Sequence, residues 1–216
     1  MKCLCVLSPR GGRTLAAATA MGPFVALAFG PTDDIFNGLD GTSCEQLRVS
    51  DPALASELLH PFDWEARAAV VAAQVARHVG ASTVFVTQSR IGFLGAAMAE
   101  QLNLSHLGEV VSVHLEGDRE PQLVIERRGL RGVQTLHGGQ LGVLSFLPSS
   151  PVLPSPSPNE ARRPVQHLSL EELSLFPTDL PDALLEVRDK TPRTRQPRLF
   201  LSADLLIERL RRDGLG

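Results

Sequence analysis

Hydrophobic and polar positions alternate between strand-like and helix-like patterns over the first half of the chain. Short apolar runs that end at glycine or polar residues, as buried strands do, occur at 2–7, 24–29 and 84–87. Apolar stripes with a period near 3.6 residues, which predict helices, occur at 14–21, 63–79 and 94–102. The repeated order of strand, turn and helix indicates a parallel α/β sheet.

The segment between the second apolar run and the longest helical stripe is less regular. Residues 33–43 are rich in turn-forming residues, and we expect a compact loop there. We expect a third strand at 46–49 and a short helix at 51–59. The long helix that follows has Asp63 as its predicted N-cap.

The pattern changes after residue 104. Alternating or continuous apolar runs, separated by glycine-containing breaks, predict an antiparallel meander of strands at 110–115, 121–127, 132–136 and 141–147. The first 147 residues therefore predict one α/β domain, with a mainly parallel sheet flanked by helices and antiparallel strands at its edge.

The last third of the chain differs in composition. Residues 148–158 are rich in proline and serine and predict an exposed loop, which we extend to residue 164. A C-terminal arm follows over 165–216, with a short strand at 165–168. Ser169 and Glu172 have the spacing of a capping box and predict the start of a helix. A basic extended segment at 191–198 and a helix at 202–212 end the arm.

Composition and charge argue against several classes of function. The formal net charge of −3 lacks the basic excess that nucleic-acid binding usually requires. No stretch approaches the ~20 apolar residues of a membrane span, and the N-terminus does not resemble a secretory signal. The three cysteines fit a reducing compartment, and neither they nor the scattered histidines have the spacing of metal ligands. We therefore expect a cytoplasmic protein with no metal site.

The stretch from Val84 to Leu104 is the first candidate for binding chemistry. It predicts a strand, a loop and a helix, and Gly92 and Gly95 allow a ligand to approach the loop backbone closely. The start of the helix would offer free N–H groups to a phosphate or another anion. An ordinary strand-to-helix turn explains the same residues, because a loose pair of glycines is a weak motif.

The order of elements resembles the β subunits of the electron transfer flavoproteins (ETF), and the resemblance covers most of the chain. The helix ends in Ala99-Glu100-Gln101-Leu102, as the family pattern Ala-x-x-Leu requires. The positions of the family signature that match are Ile125, Arg127, Gly132, Gln134, Leu136, Val143, Leu144 and Ser145. The positions that depart from it are Leu130, Arg131 and Leu141.

The resemblance implies an ETF-type fold of the adenine-nucleotide α-hydrolase-like kind and an electron carrier without catalytic residues of its own. Such a β subunit pairs with an α subunit that holds most of the FAD site. The β subunit itself holds AMP or, in bifurcating members, a second FAD. Electrons pass from dehydrogenases to a respiratory or quinone acceptor. The compartment would be the cytoplasm, or the mitochondrial matrix in a eukaryote.

The resemblance also implies two partner contacts. The C-terminal arm would wrap the α subunit. Leu153, followed by Pro154, would be the apolar anchor that docks into a flavin dehydrogenase, and Arg162 and Arg163 would form the basic end of the same loop. A leucine in a disordered linker is the competing interpretation of Leu153.

The predicted cofactor-binding residues lie in the loop that the family uses for its nucleotide and in the breaks after the first two strands. They are Ser8, Pro9, Gly30, Thr87, Gln88, Ser89, Arg90, Gly92 and Gly95. The Gln88-Ser89 pair keeps the family pattern, whereas the acidic residue expected after it is absent. Arg90 could hold a phosphate with two parallel hydrogen bonds, or it could be a solvated surface arginine.

Two other function classes compete with an ETF β-type carrier. One is a degenerate interaction subunit that kept the fold and the arm but no longer binds AMP or FAD. The other is an adenine-nucleotide hydrolase or ligase, which is disfavoured because the chain has no Ser-Gly-Gly-x-Asp loop.

Overall fold

A computed structural model describes residues 2–37, 39, 42–54, 61–89, 92–117, 122–138, 142–149 and 164–181. The chain divides into two compact units, Met1–Leu185 and Glu186–Gly216, and every described residue belongs to the first. The predicted segments at 191–198 and 202–212 lie outside the described residues. So do five predicted site residues, Arg90, Leu153, Pro154, Arg162 and Arg163.

Nine strands and three α-helices make up the described part of the chain. The strands are β1 (Cys3–Val6), β2 (Phe24–Phe29), β3 (Cys44–Val49), β4 (Thr83–Thr87), β5 (His106–Glu116), β6 (Gln122–Gly129), β7 (Gly132–Gly138), β8 (Val143–Phe146) and β9 (Val165–Leu168). The helices are α1 (Gly12–Ala20), α2 (Pro61–Val79) and α3 (Leu94–Leu102). Short 3₁₀ turns lie at Asp34–Phe36, Pro52–Leu54 and Pro177–Asp179.

All nine strands form one sheet, in the order β7-β6-β5-β8-β4-β1-β2-β3-β9. In this spatial order, every neighbouring pair from β5 through β8, β4, β1, β2 and β3 to β9 is parallel. The two remaining pairs, β5 with β6 and β6 with β7, are antiparallel. The expected fold class, a mainly parallel α/β sheet flanked by helices with antiparallel strands at one edge, is therefore confirmed.

The predicted meander is wrong at its last strand. β8 lies between β4 and β5 and is parallel to both, with Leu144 in register with Phe85 on one side and Leu107 on the other. All four residues of β8 are buried. A short apolar run that is buried on both faces has the same appearance in a parallel and an antiparallel sheet, so the local pattern could not give its position.

Two hydrophobic cores lie on opposite faces of the sheet. On one face, α2 and α3 cover buried residues that include Leu4, Val25 and Val86. On the other face, α1 covers a core in which the rings of Phe85 and Phe146 meet edge to face, with centroids 5.2 Å apart. Complete burial of such a ring contributes about 1.5–3 kcal/mol, so the central strands are held from both sides.

Two predicted helix starts differ from the structure. α2 begins at Pro61, and Asp63 is a buried residue of its first turn rather than its N-cap. Ser169 and Glu172 make the reciprocal bonds of a capping box, but the segment turns back at Ser174, which has a φ of 55°, and the described residues 169–181 form no α-helix. The hydrogen bond from the Ser169 backbone N–H lowers the pKa of the Glu172 carboxyl. Of the predicted helix at 51–59, the described residues form only the turn Pro52–Leu54.

Candidate functional site

The main candidate for a ligand-binding crevice lies at the carboxyl ends of β1 and β4. From β1 the chain moves outward to β2 and β3 on one side, and α2 then carries it back to β4 on the other side of β1. Parallel α/β sheets bind ligands at such a switch point, outside the carboxyl ends of the two strands. The predicted residues Ser8, Pro9, Thr87 and Gln88 all follow or end these two strands.

The loop after β1 lies directly against the end of β4. Ser8 accepts a hydrogen bond from Gly11 through its carbonyl, at 2.9 Å, and so closes a turn that leads into α1. A Cβ atom at Gly11 would lie 2.9 Å from Thr87 Oγ1, closer than real Cβ contacts, so this position requires glycine. The buried hydroxyls of Thr14 and Thr87 are 2.8 Å apart and join α1 to β4.

Residues 147–149, which follow β8, bond to the loop after β1, to the start of α1 and to β5. Leu147 donates its N–H to the Val110 carbonyl, and Ser149 donates its N–H to the Arg10 carbonyl. The Ser149 hydroxyl accepts the N–H of Arg13 at 2.9 Å, so it occupies a donor in the first turn of α1. Sequence reasoning did not find Ser149, because the two residues are 136 positions apart.

Gln88 is held by β8 and β5 rather than by its own loop. Its backbone N–H donates to the Phe146 carbonyl at 2.7 Å, and its side-chain Nε2 lies 3.4 Å from Glu109 Oε1. Glu109 also pairs with Arg128, whose Nε and Nη2 lie 2.7 and 2.6 Å from Glu109 Oε2. Gln88 Oε1 is buried and has no hydrogen-bond donor among the described residues, so this acceptor fits a ligand N–H or O–H group.

Glu109 is a further residue that the sequence did not single out. It has a φ of 61°, which is rare for a residue other than glycine, and it lies where the register between β5 and β8 shifts. Such irregularities are frequent beside functional sites, because they direct a side chain away from the regular pleat. Here the irregularity brings the carboxylate to Gln88.

The other loop residues have local roles. The Ser89 hydroxyl accepts the N–H of Gly92 at 2.8 Å, and Gly92 has a φ of 72° that favours glycine. A Cβ at Gly95 would overlap Ser145 Oγ and lie 3.0 Å from His106 Nε2, so Gly95 permits the close approach of α3 to the sheet. Gly30 follows β2 and donates its N–H to Val49 on β3, away from β4.

The N-terminus of α3 already holds an anionic side chain. Glu65 of α2, which is 3% exposed, accepts the N–H groups of Phe93 and Leu94 at 3.0 and 2.9 Å. The two N–H groups at the start of α3 are therefore already engaged by Glu65 and are not free for a ligand.

The three cysteines are buried thiols. Burial raises the pKa of the Cys3 thiol to about 12. The pKa of Cys5 is also raised, chiefly by burial and secondarily by Cys3 and Cys44. Within the described ranges, no group of three or more His, Cys, Asp or Glu side chains is placed to hold a metal ion.

Among the helices that the structure describes, none has both the length and the apolar character needed to cross a membrane. No protein-family model matches the chain, and no curated protein is significantly similar to it.

Proposed function

We propose that this chain is an ETF β-type subunit, which pairs with an FAD-bearing α subunit and helps to pass electrons from dehydrogenases to a respiratory or quinone acceptor. It is a carrier subunit of the cytoplasm or mitochondrial matrix, and it supplies no catalytic residue. The observation that carries the proposal is the junction of Ser8, Thr14, Thr87 and Gln88 at the switch point between β1 and β4, where the family resemblance expects a nucleotide.

The cofactor of this subunit would be AMP or a second FAD in the crevice between β1 and β4. The buried Gln88 Oε1 supports a hydrogen-bonding ligand there, because an acceptor without a donor is costly to bury. The polar loop at Ser8 and Pro9 would face the phosphate. At the alternative position, the start of α3, the N–H groups of Phe93 and Leu94 already bond to Glu65, which favours the crevice between β1 and β4.

A second candidate is a degenerate interaction subunit that binds neither AMP nor FAD. Two observations favour it. Glu65 and Ser149 accept N–H groups in the first turns of α3 and α1, and these are groups that a nucleotide phosphate would otherwise use. In this candidate the sheet is a scaffold for the partner contacts alone.

Nucleotide analysis of the complex separates the two candidates. The protein is purified together with its α partner and denatured, and the released nucleotides are quantified by chromatography. Two flavins, or one flavin and one AMP per heterodimer, would support the carrier with an occupied crevice. One flavin without AMP would support the interaction subunit. Failure to form any flavin-containing complex would remove both.

The proposed dehydrogenase contact is tested at Leu153. The Leu153→Ala variant should slow dehydrogenase-dependent flavin reduction several-fold, because an apolar anchor at an interface centre carries much of the binding energy. Val152→Ala in the same loop is the matched control and should leave the rate unchanged. Equal rates for wild-type protein and Leu153→Ala would remove Leu153 from the contact.

A further inference from the structure

The Gln88 side chain ends in an amide whose two sides have opposite hydrogen-bonding character. Nε2 donates and Oε1 accepts, and a half-turn about the last side-chain bond exchanges them. The backbone of Gln88 is fixed, because its N–H bonds to the Phe146 carbonyl at 2.7 Å. The groups around the side chain therefore decide which side of the amide a ligand in the crevice meets.

Glu109 determines the orientation of this amide. Glu109 Oε1 lies 3.4 Å from Gln88 Nε2, and a carboxylate can only accept hydrogen bonds. The opposite orientation would place two oxygens against each other. β5, which carries Glu109, lies on one side of β4, and β1 lies on the other. The donor side of the amide is thus turned toward β5, and the acceptor Oε1 is the side left for the crevice between β4 and β1.

Arg128 of β6 holds Glu109 in position. Its Nε and Nη2 both contact the same carboxylate oxygen, Oε2, at 2.7 and 2.6 Å, which leaves Oε1 for Gln88. The side chains of this pair are 62% and 32% exposed, so the pair adds little stability. The left-handed backbone of Glu109 is itself unfavourable, and such strain is frequent beside ligand sites. The role of the pair that fits these facts is positional.

An acceptor at this point selects the donor end of a nucleotide. Gln88 Oε1 is buried and has no donor among the described residues. Phosphate oxygens are acceptors and would leave Oε1 without a bond, which is costly in a buried position. AMP and FAD, the ligands of the proposed function, share an adenosine unit. The exocyclic amino group of adenine is a donor on the edge of the base, and the ribose hydroxyls are the other donors.

We propose that Glu109 is a positioning residue, which turns the Gln88 amide so that Oε1 accepts a hydrogen bond from the exocyclic amino group of an adenine nucleotide. The base then lies at Gln88, and the phosphate lies away from it, nearer Ser8. The inference rests on the proposed function. It adds the class of base, an aminopurine rather than an oxopurine, and the residue that selects it.

Two nucleotides that differ only in the amino group test the selection. The full-length chain is freed of bound nucleotide and titrated by calorimetry with AMP and with purine ribonucleoside monophosphate, which lacks that group. Wild-type protein should bind AMP about tenfold more tightly, because the analogue leaves the buried acceptor unpaired. 2′-Deoxy-AMP should bind as tightly as AMP. A tenfold loss with 2′-deoxy-AMP instead would assign the bond to the ribose and overturn the proposal.

The Glu109→Gln variant tests the orientation. A neutral amide at this position donates as well as accepts, so it no longer dictates which side of the Gln88 amide faces it. The preference for AMP over the analogue should fall from about tenfold to about twofold. IMP, which has an oxo group in place of the amino group, should bind the variant more tightly than it binds wild-type protein. Glu116→Gln, an exposed change of the same charge on β5, is the matched control and should keep the wild-type preference.

The possible failures of the two proposals are distinguishable. Equal binding of AMP and the analogue by wild-type protein would overturn the assignment of the base and leave the proposed function standing. An unchanged preference in Glu109→Gln, with normal thermal melting, would overturn the positioning role. If Glu109→Gln does not fold, Arg128→Gln replaces it, because it releases Glu109 at a more exposed side chain and should also lower the preference. A chain that binds no nucleotide would remove the occupied crevice and this inference together.

Discussion

Glu65 on α2 accepts the backbone N–H of Leu94 at the start of α3, with Oε2 2.9 Å from the nitrogen. The same oxygen accepts the N–H of Phe93 at 3.0 Å. One buried carboxylate thus satisfies two of the donors that an isolated helix leaves free at its first turn. It also joins the two helices that cover the same face of the sheet.

Replacing Glu65 should destabilise the protein. Glu65→Ala leaves one buried N–H group, that of Leu94, and one partly buried N–H group, that of Phe93, without an acceptor. We expect a loss of about 2–3 kcal/mol in the free energy of unfolding, measured by urea titration. Glu65→Gln keeps one acceptor oxygen and should cost less. Glu100→Gln, an exposed substitution on α3, is the control. If Glu65→Ala unfolds at the same urea concentration as the control, the bond to α3 contributes no stability.

Gly95 should not tolerate even one added methyl group. In Gly95→Ala the new Cβ would overlap Ser145 Oγ, and we expect a loss of about 1–3 kcal/mol from overpacking. Adding Ser145→Ala removes the overlapping oxygen and should recover part of that loss. Gly138→Ala is the control, because no atom lies within 4 Å of the Cβ position there. Normal stability of Gly95→Ala would show that α3 can move away from the sheet without cost.

His106 should make stability depend on pH. Partial burial of the imidazole ring lowers its pKa below the ordinary value of 6.5, and its Nε2 lies 2.9 Å from Ser145 Oγ. Below about pH 6.5 the unfolded chain therefore binds a proton at this position more readily than the folded chain, so stability falls as the pH is lowered through that range. His106→Gln should flatten this part of the curve in urea titrations between pH 5 and 8. Parallel curves for the two proteins would contradict the assignment.

The native thiols should resist alkylation. Cys3, Cys5 and Cys44 are buried, and burial raises the pKa of Cys3 to about 12, so little thiolate is present at pH 8. Mass spectrometry after iodoacetamide treatment should show no modified cysteine in the folded protein and three in urea. Rapid labelling of Cys3 in the folded state would mean that β1 opens readily.

Local patterns predicted most elements of the fold. The buried strands at Cys3–Val6, Phe24–Phe29 and Thr83–Thr87, and the helices over them, follow directly from hydrophobic periodicity. The position of β8 did not follow, because strand pairing is decided by distant residues. Local sequence was also insufficient at Ser169. The bonds of the predicted capping box form there, but the chain turns away instead of continuing as a helix.

The sequence singled out residues of the candidate site where a strand gives way to a loop, at Ser8 and Pro9 after β1 and at the end of β4. Thr87, Gln88 and Ser89 end a strand at a loop, and that property can be recognised in the sequence. The residues that complete the site come from other segments: Thr14 bonds to Thr87, Glu109 to Gln88, and Ser149 to Arg13, across separations of 73, 21 and 136 residues. Glu65 was missed for a similar reason, since the helical stripe of α2 does not show which carboxylate faces α3.

The position of β8 between β4 and β5 means that the sheet can be completed only late in synthesis. During synthesis, β4, α3 and β5 emerge from the ribosome one after another, but β4 and β5 do not pair with each other. The strand that lies between them in the sheet is β8, and it is synthesised almost 30 residues after β5 ends. Until Val143–Phe146 emerges, the edges of β4 and β5 remain open and the ring of Phe85 lacks its partner Phe146. Completion of the sheet therefore depends on a late, long-range step, which is slow compared with local folding and leaves strand edges exposed to aggregation or to chaperones in the meantime.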